Sequence, residues 1–367
     1  MKEQISIYDT AVKTQNTVIF GDAVDALRIL ADKSVDTCVT SPPYYGLRDY
    51  GKDDQIGLED TPEEYIEKLV AVFREVRRVL KDDGTLWVNI ADSYAGSGKG
   101  RLKDGTARQK TFGKISSGSK GTWIGNLQKT CAADCKPKDL IGIPWMLAFA
   151  LRRDGWYLRQ DIIWQKPNPM PESVKDRCTK CHEYIFLLSK SPRYYFDGEA
   201  ISEPVSDSSM ARYSQNIDVQ KGSNRVPGKS NGTMKAVRPR YGGKKYTETP
   251  DQFYRTKSGG AYDFRPKRNK RDVWTVSTKP FKGSHFATFP DTLITPCVLA
   301  GSKVGGDVLD PFCGSGTTLM VANRYGRNGI GIELNDEYEP LIKDRVGEYT
   351  RIIIDGEDRN INNGYTD

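Results

Sequence analysis

Histidine is nearly missing from this 367-residue chain, which has only His182 and His285. That scarcity argues against catalysis by a histidine-centred triad. Cysteine is sparse too: seven residues are too few for a disulfide framework at this length, which leaves reduced thiols or a metal site. No apolar run approaches the roughly 18–20 residues that a membrane helix needs, and the N-terminal MKEQISIYDT lacks the basic-then-apolar pattern of a secretory signal. No membrane is therefore expected as a partner, and a cytoplasmic location is expected. No internal repeat is visible.

What is present suffices for a full core. Hydrophobic residues make up 37% of the chain and aromatics 10%, enough for one large domain or one with a smaller insert. The formal net charge of +7 is modest but unevenly spread: residues 201–270 hold 15 Lys and Arg against 6 Asp and Glu. A concentrated basic block suggests a polyanion partner, because each neutralised phosphate releases condensed counterions; a solvated insert is the alternative.

Apolar runs bounded by turn residues recur at 16–20, 35–40, 84–90, 157–164, 182–190, 305–312 and 327–334, and each reads as a buried strand. Between them, TPEEYIEKLVAVFREVRRVLK places Tyr65, Leu69, Val72, Phe73, Val76 and Leu80 on one helical face, and IPWMLAFALRRDG and TTLMVANRYG are further helix candidates. Strands alternating with helices predict an α/β fold with a mostly parallel twisted sheet covered on both faces. Two stretches break the rhythm. Residues 95–130, with eight Lys and Arg and one acid, read as a mobile basic loop. Residues 201–280 are polar, Gly-rich and studded with Tyr213, Tyr241, Tyr246, Phe253, Tyr254, Tyr262 and Phe264, too long for an ordinary loop.

Val308 to Thr318 reads as a strand running into Gly314-Ser315-Gly316 and then a helix, where backbone can approach a ligand and helical N–H groups are unpaired. A second strand ends in Glu333 roughly 20 residues later, where a ribose diol can be gripped. The arrangement suits S-adenosylmethionine or a nicotinamide dinucleotide, and also a tight turn without a ligand. Leu319 stands where a dinucleotide fingerprint has its third glycine, which disfavours a pyrophosphate binder.

After the strand 35–40 comes Ser41-Pro42-Pro43-Tyr44. Two prolines fix the backbone and leave a carbonyl free at a strand's C-terminal end, the edge where open α/β sheets bind ligands. The tetrapeptide alone also fits a plain turn. As a site, the Ser41 hydroxyl and Pro42 carbonyl can accept from an exocyclic amine, and Tyr44 offers a face on which an extruded base stacks.

With Phe312-Cys313-Gly314-Ser315-Gly316 C-terminal to Ser41-Pro42-Pro43-Tyr44, the sequence resembles the amino-group DNA methyltransferases over nearly its whole length, in the order of their circularly permuted β group. The resemblance implies a Rossmann-like methyltransferase fold, S-adenosyl-L-methionine as cofactor and double-stranded DNA as substrate. Residues 1–200 and 281–367 would form the catalytic domain and 201–280 a target-recognition insert. The segment His285-Phe286-Ala287-Thr288-Phe289-Pro290 looks like the family's preceding cofactor motif, and Gly21-Asp22 like its adenine-contacting strand end. The implied cofactor residues are Asp22, His285, Phe286, Thr288, Asp310, Phe312, Gly314, Gly316, Thr317 and Glu333. Residues 155–171 and 182–197 look like segments lining the target-base pocket. The family mechanism needs neither a covalent intermediate nor a metal, and Cys313 reads as a packed small residue rather than a nucleophile.

Serine at position 41 resembles the cytosine-N4 enzymes, whereas adenine-N6 enzymes more often carry Asp or Asn. The reading is therefore cytosine N4 in duplex DNA, with adenine N6 the alternative and an inactive DNA-binding protein the rival from another class. Cys178-Thr179-Lys180-Cys181-His182, with Cys131 and Cys135, has metal-like spacing, but the family chemistry calls for no zinc and none is assigned. A cognate restriction endonuclease, and either a monomer or a homodimer, are compatible with the resemblance.

Overall fold

A computed structural model describes residues 14–47, 52, 55–95, 135–136, 138–208, 267–278 and 289–354. The chain divides into two compact units, one formed by residues 1–200 and 271–367, the other by residues 201–270. In the first unit β1 (Asn16–Phe20) leads into α1 (Ala23–Arg28), and β2 (Val35–Thr40) is followed by α2 (Pro62–Val79) and β3 (Leu80–Ile90). Then come α3 (Ile143–Arg153), β4 (Tyr157–Gln165) and β5 (His182–Ser189). In the smaller unit β6 (Glu203–Pro204) pairs antiparallel with β7 (Lys267–Arg268). The first unit resumes with β8 (Val273–Thr275), α4 (Asp291–Gly301), β9 (Asp307–Asp310), α5 (Thr317–Arg324), β10 (Asn328–Glu333), α6 (Glu339–Val346) and β11 (Thr350–Ile353).

Nine strands form one sheet in the order β11-β1-β10-β9-β2-β3-β5-β4-β8. Only β5 runs against the rest. The fold is the expected α/β fold with a mostly parallel sheet. Both faces are covered, and β1 shows it: Ile19 joins a cluster with α1, α2 and α3, whereas Val18 and Phe20 pack with Cys313, Leu319 and Ile342. Alternate residues of a strand point to opposite faces, so the two helical layers lie on either side.

The longest helix, α2, follows from its sequence. Thr61 caps it by accepting from Glu64 N–H, Pro62 occupies the first turn, and Tyr65, Leu69, Val72, Phe73 and Val76 are buried on one face. The helix ends at Val79, two residues before the expected end, because β3 begins at once with Leu80. The strand expected over 305–312 is confined to Asp307–Asp310; Pro311 has no N–H to extend the ladder. No helix among the described residues is long and apolar enough to cross a membrane.

Candidate active site

The C-terminal ends of β1, β10, β9 and β2 lie in a row along one sheet edge. From β9 the chain crosses through α5 to β10 on one side, and from β2 through α2 to β3 on the other. The crevice between β9 and β2 is thus the point where the winding reverses, the ligand-binding position of open α/β sheets. Along this edge come Asp22 after β1, Glu333 at the end of β10, Phe312 to Thr317 after β9, and Ser41 to Tyr44 after β2.

A buried carboxylate ties the two central strand ends together. Asp310 Oδ1 accepts from Thr40 Oγ1 at 2.6 Å and from Phe312 N–H at 3.1 Å, and Oδ2 accepts from Thr318 Oγ1 at 2.6 Å. Burial raises the Asp310 pKa to about 6 against these stabilising bonds. Expected as a cofactor residue, Asp310 spends both oxygens inside the protein, where it fixes the residue before Ser41 against the turn before α5.

That turn needs glycine. Gly314 and Gly316 have φ of 54° and 80°, and a Cβ on Gly316 would come within 2.8 Å of Val346 Cγ2. Gly314 N–H donates to Glu333 Oε2 at 2.8 Å, and Asn335 N–H to Glu333 Oε1 at 2.9 Å. Burial is the main reason that the Glu333 pKa rises to about 7. A carboxylate offers about four acceptor sites, so Glu333 retains capacity for a diol. Asp22 caps α1, its Oδ1 accepting from Val24 and Asp25 N–H, and Gly21 N–H donates to the Glu333 carbonyl at 3.0 Å. These neighbours, an acidic diol grip beside a Cβ-free turn, fit a nucleoside cofactor. The Thr317 hydroxyl is engaged by Arg345. Cys313 is buried, and burial with the Glu333 and Asp310 charges pushes its thiol pKa well up, consistent with packing rather than nucleophilic attack.

Across the crevice, Tyr65 Oη donates to the Pro43 carbonyl at 2.7 Å and so anchors the proline pair on α2. The Pro42 carbonyl has no partner among the described residues. Ser41 Oγ lies 3.5 Å from Tyr44 Oη, which in turn lies 2.8 Å from Glu183 Oε2 and 3.2 Å from Asn89 Oδ1. Lys166 pairs with the other Glu183 oxygen and stands 4.3 Å from the centre of the Trp164 ring. Burial, then the Glu183 charge, pushes the Tyr44 phenol pKa well above its usual value.

A family model described as DNA methylase, of the N6/N4 type, matches residues 35–344. The chain belongs to the N6/N4 DNA methylase family. This methylase is 46% identical over 330 residues to the type II methyltransferase M.SmaI of Serratia marcescens, covering 90% of each chain. It is 43% identical over 339 residues to M.Cfr9I of Citrobacter freundii, covering 92% of this chain and 90% of the other. Its fold is similar to that of PvuII DNA methyltransferase (cytosine-N4-specific), with a TM-score of 0.54 and 16% identity over 94% of this chain and 89% of that one. It is also similar to a DNA modification methylase of Thermus thermophilus complexed with S-adenosyl-L-methionine, with a TM-score of 0.50 and 21% identity over 93% of this chain and 100% of that one. Membership of a DNA methylase family sets aside the nicotinamide-dinucleotide and inactive binding-protein alternatives in favour of methyl transfer.

In the methylase, all the expected site residues that are described lie on the one edge. His285, Phe286 and Thr288 lie outside the described residues, as do Cys131, residues 96–130 of the basic stretch, and residues 209–266 and 279–280 of the 201–280 stretch. Among the described residues no group of three or more His, Cys, Asp or Glu could hold a metal. Sequence reasoning missed Asn89, Lys166 and Glu183. The available signal was a polar residue inside an otherwise apolar run, Asn89 in GTLWVNI and Glu183 in HEYIFLLSK.

Proposed function

We propose that the chain is a type II modification methyltransferase that transfers a methyl group from S-adenosylmethionine to the exocyclic N4 of cytosine in duplex DNA, after the base is extruded. The observation carrying this reading is the adjacency of Ser41-Pro42-Pro43-Tyr44 and the Gly314–Gly316 turn on neighbouring strand ends bracketed by Asp310. The similarity to the type II methyltransferases M.SmaI and M.Cfr9I supports the class. Ser41 at the first motif position supports cytosine.

Asp22, Phe312, Gly314, Gly316, Thr317 and Glu333 would hold the cofactor, with His285, Phe286 and Thr288, while Asp310 braces the turn. When bound, S-adenosylmethionine supplies an electrophilic methyl group. The chain's own residues do the rest. Ser41 Oγ and the Pro42 carbonyl accept from the two amine hydrogens and turn the nitrogen lone pair out of the base plane, and Tyr44 supports the base. Most of the advantage is orientation, with acceptors already placed for the proton that the amine sheds. We assign the chain to the permuted β group from its motif order, with catalytic half first and cofactor half last, and residues 201–280, apart from the edge strand β8 of the main sheet, to target recognition from their interleaved basic and aromatic residues.

Nucleoside mass spectrometry of methylation-free DNA, incubated with the protein and S-adenosylmethionine, tests the reading. N4-methylcytosine is expected; N6-methyladenine would reassign the target base, and neither product would overturn the proposed function.

A further inference from the structure

The polar cluster behind Tyr44 has a fixed sense of donation. The Glu183 carboxylate can only accept, and the Lys166 ammonium paired with its Oε1 can only donate. Asn89 Nδ2 lies 3.2 Å from Glu183 Oε2 and 3.1 Å from the Tyr184 carbonyl, so both acceptors orient the amide with Oδ1 toward Tyr44. Tyr44 Oη therefore faces two acceptors, Glu183 Oε2 and Asn89 Oδ1, and its single proton is committed to them. It has none to give Ser41. Where Ser41 Oγ approaches it at 3.5 Å, Ser41 must be the donor. Its lone pairs are left for the pocket, next to the Pro42 carbonyl, which can only accept. The burial that keeps the phenol protonated supports the same polarity.

Resting on the proposed reaction, we propose that Glu183, held by Lys166, is a positioning and specificity-determining residue that sets this chain so that the target pocket takes an exocyclic amine and rejects a ring carbonyl. An amine brings two N–H donors to two acceptors. The O4 of uracil or thymine would bring a third acceptor and leave buried lone pairs facing each other, an unpaired arrangement of the kind that sites built for a hydrogen bond discriminate against strongly. Asn89 and Lys166 act on the target only through Glu183 and Tyr44.

The test uses duplexes with cytosine, uracil or no base at the target position, each opposite an abasic site so that pairing strength drops out, in the presence of S-adenosylhomocysteine. The wild-type protein is expected to prefer cytosine over uracil by about tenfold or more. In Glu183→Gln the amide can turn a donor toward Tyr44, and in Tyr44→Phe the chain is cut with packing kept. Both variants should lose most of that preference and, with S-adenosylmethionine in place of S-adenosylhomocysteine, about 100-fold in kcat on cytosine, with unchanged affinity for the duplex lacking the target base as the check on folding. If both keep the wild-type preference and kcat, the proposal is overturned. Failure of the functional reading shows instead in the wild type, as adenine methylation. The same comparison then runs with adenine against hypoxanthine, and loss of amine preference in the variants again decides.

Discussion

The hydroxyl of Thr40 lies 2.6 Å from the Asp310 carboxylate, between residues separated by 270 positions in sequence but placed on adjacent strand ends. This bond, with the Thr318 hydroxyl on the other oxygen, ties the strand end before the proposed catalytic motif to the turn of the proposed cofactor motif. Removing the carboxylate in Asp310→Ala strands two buried hydroxyls and the Phe312 N–H, and should cost about 2–4 kcal/mol of stability. Because Thr40, the strand end before Ser41, loses its brace, kcat should fall more steeply than cofactor affinity. Denaturant melts and steady-state kinetics check both; a stable, fully active variant would contradict the bracket.

Glu333→Ala addresses the cofactor side. The carboxylate is the acceptor placed for a ribose diol, and charge-assisted hydrogen bonds are worth about 1.5–3 kcal/mol each, so affinity should drop by about tenfold to a hundredfold. Calorimetry with S-adenosylmethionine measures it. Equal affinity in the variant would move the grip elsewhere.

Tyr44→Ala should leave most DNA binding intact and abolish turnover, since the side chain serves the extruded base rather than the phosphates. Gel-shift affinity and methylation assays separate the two. Loss of both together would place Tyr44 in the general DNA contact instead.

The pH dependence follows from burial. Glu333 is raised to about 7 from an ordinary 4.5, and Asp310 to about 6 from 3.8. Both bind protons more tightly when folded than when unfolded. The stability they contribute is complete below the unfolded values and is lost as pH rises through about 6 and then about 7. Thermal melts of the ligand-free protein should therefore fall across that window. Cofactor affinity should rise across it, because an ionised Glu333 accepts better from a diol. A flat affinity profile would detach Glu333 from the ligand.

The sheet was largely legible because most of its strands are mainly apolar runs bounded by turn residues and α2 carries a single apolar face; β4, read as buried, is instead largely exposed, with only Ile162 and Trp164 buried. Helix α4 was not. Its buried Leu293, Ile294, Cys297, Val298, Ala300 and Gly301 do keep a helical spacing, but Pro296 stands inside the helix and the stretch 296–301 has no polar side chain, which masks the period in the sequence. The short α1, β8 and β11 offer too few residues for any period to register. Ser41 to Tyr44 and the Gly314–Gly316 turn were readable because proline and glycine carry local backbone meaning. The Tyr44–Glu183 contact spans 139 positions and depends on strand pairing, which no local pattern encodes. Even so, a lone carboxylate in an apolar strand was a visible anomaly.

The strand order also bears on how the protein is made. Strands β1 and β2 are consecutive in the chain, yet β10 and β9 lie between them in the sheet. A growing polypeptide therefore carries two unfilled strand edges until residues 307–333 have been synthesised. Such edges invite pairing with other chains, and distant pairings close slowly. Truncation upstream of β9 should give an aggregating fragment rather than a smaller domain.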